Sequence, residues 1–169
     1  MATVQKIVSH LWFDNQAEEA ANYYVSIFRN SQITKINRYG KEGYEIHKMP
    51  EGSVLNIELT LEGQKFVALN GGPFSKFNES ISFIMYCETQ AEIDYYWNKL
   101  SEGGDKNAQQ CGWLKDKFGL SWQIVPRIVE DMIFDGSPKS EALMGAVLKM
   151  KKLNIQKLEQ AYNQQAVPS

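Results

Sequence analysis

Cysteine is scarce in this chain. Only Cys87 and Cys111 occur, and without CxxC or Cys/His spacing they exclude a disulfide framework and a zinc site, so both are expected as buried thiols. Histidine is equally scarce: His10 and His47 are the whole complement, too few to assemble a site from several neutral imidazoles. No run approaches the roughly 18–20 apolar residues of a membrane span. The segment Met1 to Phe13 carries Lys6 and His10 and alternates apolar with polar residues, unlike a secretory signal, so a cytoplasmic, unanchored protein is expected with no membrane partner. An excess of positive charge is also missing. Eighteen Lys and Arg stand against 20 Asp and Glu, a formal net charge of -2, which removes the electrostatic basis for nucleic acid binding. Lys149, Lys151 and Lys152, near a predicted helix end, read as a solvated face favoured by the helix dipole. No GxGxxG follows a strand, and no GxSxG, Walker loop or HExxH occurs, which removes the usual dinucleotide, hydrolase and nucleotide-binding signatures.

What is present is an ordinary globular composition, 43% hydrophobic and 22% charged over 169 residues, which fits one folding unit. Val4 to Phe13 reads as a strand ending at Asp14-Asn15. From Ala17 to Phe28, the residues Ala17, Ala20, Ala21, Tyr24, Val25, Ile27 and Phe28 fall at helical spacing. Glu18 and Glu19 sit in that helix's first turn, where negative charge complements the dipole. Gln32 to Tyr39 is a strand, and Gly40 to Gly52 a loop. In Val54 to Leu61, Leu55, Ile57, Leu59 and Leu61 alternate with Asn56, Glu58 and Thr60, the period of a strand with one buried face. Glu62-Gly63 then predicts a hairpin into Gln64 to Asn70.

After the break at Gly71-Gly72-Pro73 the order starts again. Ser80 to Cys87 is a strand, Gln90 to Leu100 a helix with Ile93, Tyr96, Trp97 and Leu100 on one face, and Gly112 to Lys117 and Ser121 to Val125 are short strands. The tail predicts a helix starting at Ser137-Pro138 with a stripe of Leu143, Met144, Val147 and Leu148, and another starting at Asn154. Such a stripe docks on its own domain or forms a dimer contact. The pattern predicts an α+β fold with helices covering one face of the sheets and the other face available to a ligand. One domain over 1–169 is expected, with module one at 1–72, module two at 73–126 and a C-terminal helical extension at 127–169.

Three blocks carry a resemblance: LWFDNQAEEAANYYVSIF (Leu11 to Phe28), ALNGGP (Ala68 to Pro73) and DKFGLSWQIVP (Asp116 to Pro126). Together, over roughly Ile7 to Pro126, they resemble the PhnB-like branch of the vicinal oxygen chelate superfamily, which also contains glyoxalase I, extradiol dioxygenases and bleomycin resistance proteins. Members of the branch often carry the label demethylubiquinone methyltransferase domain. The resemblance implies two βαβββ modules whose curved mixed sheets form a cleft, and a homodimer. In metal-dependent relatives the cleft holds a divalent ion on His, Glu or Gln from four strands, and the ion polarises substrate oxygens.

Carried over residue by residue, that ligand set is incomplete. Gln123 falls where relatives with an acidic ligand on the final strand place Glu, and His10 is the one plausible histidine. The stretch Asn78 to Phe83, where another histidine is expected, reads NESISF. The last strand of module one offers only Asn70, with Glu58 the nearest carboxylate. No metal or other cofactor is therefore expected. Trp12, Trp113 and Trp122 lie on or near the implied cleft strands, where an indole can stack on a planar ligand or pack in the core.

The residues nominated for a site are His10 as catalytic acid or base, with Trp12, Asn56, Glu58, Asn70, Trp113, Trp122 and Gln123 as ligand-binding groups. Two functions follow. One is a binding protein, homodimeric as the resemblance implies, that sequesters a small planar or oxygenated metabolite. The other is a glyoxalase-like lyase, isomerase or oxygenase acting on such a molecule. A methyltransferase using S-adenosylmethionine is not expected, because its Gly-rich turn in a parallel sheet is missing.

Overall fold

A computed structural model describes residues 5–133 and 136–164. Its contacts group into two compact units, the first ending at Lys76 and the second beginning at Phe77. The fold is mixed α+β, with one small mixed sheet in each unit.

The first unit runs β1 (Ser9–Phe13), α1 (Ala17–Ile27), β2 (Gln32–Arg38), α2 (Tyr44–His47), β3 (Val54–Leu61) and β4 (Gln64–Asn70). Its four strands lie in the order β1-β4-β3-β2, with β1 and β4 parallel and the other pairs antiparallel. The helical stripe read from the sequence becomes the buried side of α1, where Ala17, Ala20, Ala21, Tyr24 and Ile27 are buried. They meet Ile57, Leu59 and Leu61 of β3, Phe66 and Ala68 of β4, and Leu11 and Phe13 of β1 on the same sheet face. Each large apolar side chain buried here contributes about 1.5–3 kcal/mol relative to leaving it exposed. The hairpin turn has Glu62 at φ 47° and Gly63 at φ 77°, two successive left-handed residues whose twist matches the flanking strands. Within the expected loop after β2, the single turn of α2 is an addition.

The second unit runs β5 (Phe83–Cys87), α3 (Gln90–Ser101), β6 (Trp113–Lys115), β7 (Ser121–Pro126), α4 (Arg127–Ile133), α5 (Pro138–Val147) and α6 (Ile155–Gln164). Its strands lie in the order β5-β7-β6, with β5 and β7 parallel. Helix α3 starts from Thr89, whose side chain accepts from the Glu92 backbone N–H, and it buries Ile93, Tyr96, Trp97 and Leu100.

The unit therefore repeats the strand-helix-strands order with three strands among the described residues, one fewer than a βαβββ module. The stretch before β6 supplies a 3₁₀ turn at Lys106–Ala108 and a single bridge from Gln110 to Trp113. Its polar, glycine-containing sequence has no alternating apolar residues with which to hold a ladder.

Helix α4 follows β7 directly and was not foreseen. It brings Val129 into a cluster with Leu143 and Val147 of α5, Leu153, and Leu158 of α6. Val125 of β7 and Cys111 pack against the same cluster, so Leu143 and Val147 of the C-terminal stripe dock on their own unit, whereas Met144 and Leu148 of the stripe are exposed. Cys87 is buried as expected, whereas Cys111 is only half-buried at the cluster's margin.

Candidate functional site

In each sheet the helix occupies one face, and alternation along the strands decides which side chains are left for the other. In the first unit, β1 turns Leu11 and Phe13 toward α1 and leaves His10 and Trp12 on the opposite side, His10 exposed and Trp12 half-buried. The register places His10 beside Val67 of β4, Val67 beside Glu58 of β3, and Glu58 beside Lys35 of β2. The next row is Trp12, Leu69, Asn56 and Asn37. Four nominated residues, His10, Trp12, Asn56 and Glu58, thus share the face opposite α1.

Their surroundings are specific. The Trp12 indole N–H donates to the Gly72 carbonyl at 2.9 Å, and a Cβ on Gly71 would lie 2.3 Å from two of its ring carbons. The ring is clamped flat against the Gly71-Gly72 backbone. Asn37 donates from its amide to Asn56 Oδ1 at 2.7 Å. Lys65 pairs with Glu58 at 2.7 Å, and the hydrogen bond and charge of Lys65, aided by Lys35, hold the Glu58 carboxyl below the usual range.

In the second unit, Trp122 and Ile124 of β7 and Leu114 of β6 are buried on the α3 face. The opposite face carries Ser121, Gln123 and Val125 of β7, Trp113 and Lys115 of β6, and Ile84 and Tyr86 of β5, with Ser82 just before it. Ile84, Gln123 and Trp113 form one row in register. Gln123 donates from its amide to Ser82 Oγ at 2.9 Å, and Lys115 is ion-paired with Glu79. Ser121 is 1% exposed, and its hydroxyl has no hydrogen-bond partner among the described residues. A buried polar group left that way costs about 1–3 kcal/mol.

Two nominated residues belong to the cores instead. Asn70 is buried on the α1 face: its Oδ1 accepts from Ala17 N–H at 2.8 Å and its Nδ2 donates to the Val54 carbonyl at 3.0 Å. Both ends of the amide are used in tying the start of α1 to β3, so it has no role as a ligand-lining group. Trp122 is 4% exposed, donates to Asp116 Oδ2 at 2.9 Å and packs beside Phe83. The other carboxylate oxygen of Asp116 accepts from the backbone N–H groups of Phe118 and Leu120. Trp122 is thus a core anchor for the Asp116 to Leu120 turn.

Asn37, Ser82 and Ser121 were not nominated, and the parity of their strands relative to Asn56, Ile84 and Gln123 was the available signal. His47 is spent locally, since its Nδ1 accepts from Met49 N–H at 2.9 Å, its Nε2 is 3.2 Å from the Glu42 carbonyl, and its ring stacks on Tyr39.

The donor set does not fit the ion held by metal-dependent relatives. In the first unit His10 and Glu58 are separated by the apolar Val67, and Glu58 is already engaged by Lys65. On the second unit's face the strands themselves carry no His, Cys, Asp or Glu; the nearby carboxylates are engaged, Glu79 by Lys115 and Glu130 by the Tyr86 hydroxyl. Among the described residues no group of three or more such side chains is gathered at one point, whereas hard and borderline cations need several such ligands.

The family model described as 3-demethylubiquinone-9 3-methyltransferase matches residues 5–125. No curated protein matches the chain. Among solved structures, a PhnB protein from Bacillus cereus is 36% identical, with a TM-score of 0.60 over 72% of this chain and 99% of that one. Protein PA1353 from Pseudomonas aeruginosa is 18% identical with a TM-score of 0.56, over 73% of this chain and 98% of that one. The fosfomycin resistance protein FosX from Listeria monocytogenes, 11% identical with a TM-score of 0.51, covers 78% and 97% respectively, and shares the fold alone. With the two repeated sheet-and-helix units already in place, these matches show that the chain belongs to the PhnB-like family described as 3-demethylubiquinone-9 3-methyltransferase.

Proposed function

We propose that this protein binds a small planar or oxygenated metabolite and sequesters it, without a divalent metal, as a cytoplasmic homodimer. The observation that carries the reading is the sorting of side chains by face. Six nominated residues, His10, Trp12, Asn56, Glu58, Trp113 and Gln123, occupy the sheet faces opposite α1 and α3. In the first unit an imidazole, an indole and an amide stand beside Val67 and Leu69, and in the second an indole and an amide stand beside Ile84; each face by itself offers apolar area with a few polar groups, the composition of a small-molecule site. The donors fit hydrogen bonding better than metal ligation, which favours binding over metal-assisted chemistry. Among the described residues no helix is long and apolar enough to cross a membrane.

A second reading, a glyoxalase-like enzyme, draws support from His10, which is exposed in the same row as Glu58 and accessible to a substrate proton. Methyl transfer from S-adenosylmethionine is disfavoured. Each sheet mixes parallel and antiparallel pairs and lacks the Gly-rich strand-to-helix turn that holds such a cofactor in parallel sheets.

The test is thermal denaturation against a panel of hydroxylated and oxo-substituted aromatic metabolites and of divalent ions, followed by calorimetry and product analysis on every hit. The expected result is a compound that raises the melting temperature with saturation, binds at one per chain and is recovered unchanged, while divalent ions change nothing. Turnover abolished by His10→Ala would replace this reading with the enzyme, and stoichiometric metal in protein purified without a tag would remove its premise.

A further inference from the structure

The face of the second unit's sheet opposite α3 meets the C-terminal cluster at Val125 and bonds Glu130 through Tyr86, while the rest of it is polar and carries no unpaired cation, and that combination selects a ligand class. Across the three strands, Ile84, Gln123 and Trp113 stand side by side, at about 4.8 Å per strand. The row is therefore roughly 10 Å wide, the span of one six-membered ring with a substituent. Its two ends are apolar: Ile84 is 47% exposed on one side, and the half-buried Trp113 indole lies on the other.

The middle of the row is an amide held in orientation by its bond to Ser82, which leaves the Gln123 carbonyl oxygen as an acceptor with no partner among the described residues. Ser121, two residues back along β7, is buried, so its hydroxyl, which has no hydrogen-bond partner among the described residues, is out of a ligand's reach. The indole N–H of Trp113 has no hydrogen-bond partner among the described residues either. Lys115, the one ionised group on β6, is neutralised by Glu79. An anion placed here would lose its hydration without gaining an unpaired cation, whereas a hydroxyl or carbonyl oxygen finds both an acceptor and donors.

We propose that Trp113 and Gln123 form a specificity site for an uncharged, hydroxyl- or oxo-substituted aromatic ring, with the ring between Ile84 and the indole and its oxygen on the Gln123 amide. This rests on the binding reading above and names the ligand class for it. Gln123 is what sets the preference, because a neutral amide neither repels nor chelates.

Two matched probes test it: methyl 4-hydroxybenzoate, which is neutral at pH 7, and 4-hydroxybenzoate, whose carboxylate is ionised. Titrations of the full chain are followed by the nuclear magnetic resonance signal of the Trp113 indole N–H, identified by its disappearance in Trp113→Phe. The neutral probe should shift that signal and bind at least tenfold more tightly than the anion. Gln123→Leu should weaken the neutral probe by about tenfold, the size of one lost hydrogen bond of about 1.4 kcal/mol, with thermal melts confirming that the variant folds. If Gln123→Leu does not fold, Gln123→Ala, which removes the same amide, carries the comparison.

Binding that leaves the Trp113 signal unmoved, or that is unchanged in these variants, overturns this site and leaves the binding reading standing. Equal or tighter binding of the anion overturns the ligand class. Failure of both probes, and of every neutral hydroxylated aromatic in the panel, to bind would overturn the site and the broader reading together.

Discussion

Gly71→Ala is the sharpest perturbation available to the first unit. The added Cβ would lie 2.3 Å from two ring carbons of Trp12 and 2.7 Å from a third, whereas carbon atoms in contact sit about 3.5–4.0 Å apart. The indole must retreat by more than an ångström or the Gly71 backbone must move. Overpacking of this kind costs about 1–3 kcal/mol, and turning the ring breaks the 2.9 Å bond from Trp12 Nε1 to the Gly72 carbonyl, worth about 1 kcal/mol. The sum is about 2–4 kcal/mol, and at about 2–4 °C per kcal/mol for a chain of this size the melting temperature should fall by about 5–15 °C.

The assay is thermal unfolding followed by circular dichroism, with Trp12→Leu and the double variant completing a cycle. If the clash with the ring is the cause, Gly71→Ala should cost little once the indole is gone. A drop of less than about 2 °C, or an equal drop in the Trp12→Leu background, would refute the clamp and with it the account of how Trp12 is oriented on the uncovered face.

Asn70→Ala should destabilise by about 2–4 kcal/mol, because it leaves the Ala17 N–H and the Val54 carbonyl without their buried partner; ligand affinity corrected for stability should not change, and a selective loss of binding would restore Asn70 to the site. Burial, helped by the charges of Glu92 and Glu88, pushes the Cys87 thiol from 9.0 up to about 12. Its folded value is above its unfolded one, so the stability it contributes is complete below pH 9 and is lost as pH rises toward 12, at about 1.4 kcal/mol per pH unit. Iodoacetamide at pH 8 should therefore label Cys111 before Cys87, with mass mapping of the adducts as the check. Glu58 has its folded value lowered, so its contribution is present above the ordinary value of 4.5 and is lost as pH falls through the folded value. Its carboxylate is open to solvent, so the acid limb of Glu58→Gln should differ from the parent only slightly, and 1 M salt should erase the difference.

The amphipathic stripe from Ala17 and the alternation from Val54 to Leu61 were legible because each pattern has one physical reading: a helix or strand with a single buried face. The hairpin at Glu62-Gly63 was legible for the same reason, since few residues other than glycine tolerate the left-handed turn it needs. Helix α4 was not, because seven residues leaving a strand directly show no cap and too few turns for a period. The three-stranded second sheet was not, because whether a polar stretch joins a ladder depends on what lies beside it.

The candidate site divides along the same line. Sequence by itself determined the chemical stock: two histidines, two cysteines, four tryptophans and the glycine pair after Asn70. Strand parity puts Asn70 with Phe66 and Ala68, and Trp122 with Ile124, whereas the family's ligand pattern points to Asn70 and the implied cleft strands to Trp122. Only the tertiary structure decided that Trp12 would lie on Gly71, that Asp116 would hold Trp122 in the core, that Gln123 would be turned by Ser82, and that Ser121 would be buried with no hydrogen-bond partner among the described residues. Those outcomes rest on which strand lies beside which and in what register. Pairing energy is spread over whole ladders and the side chains packed on them, so no local stretch of residues encodes it.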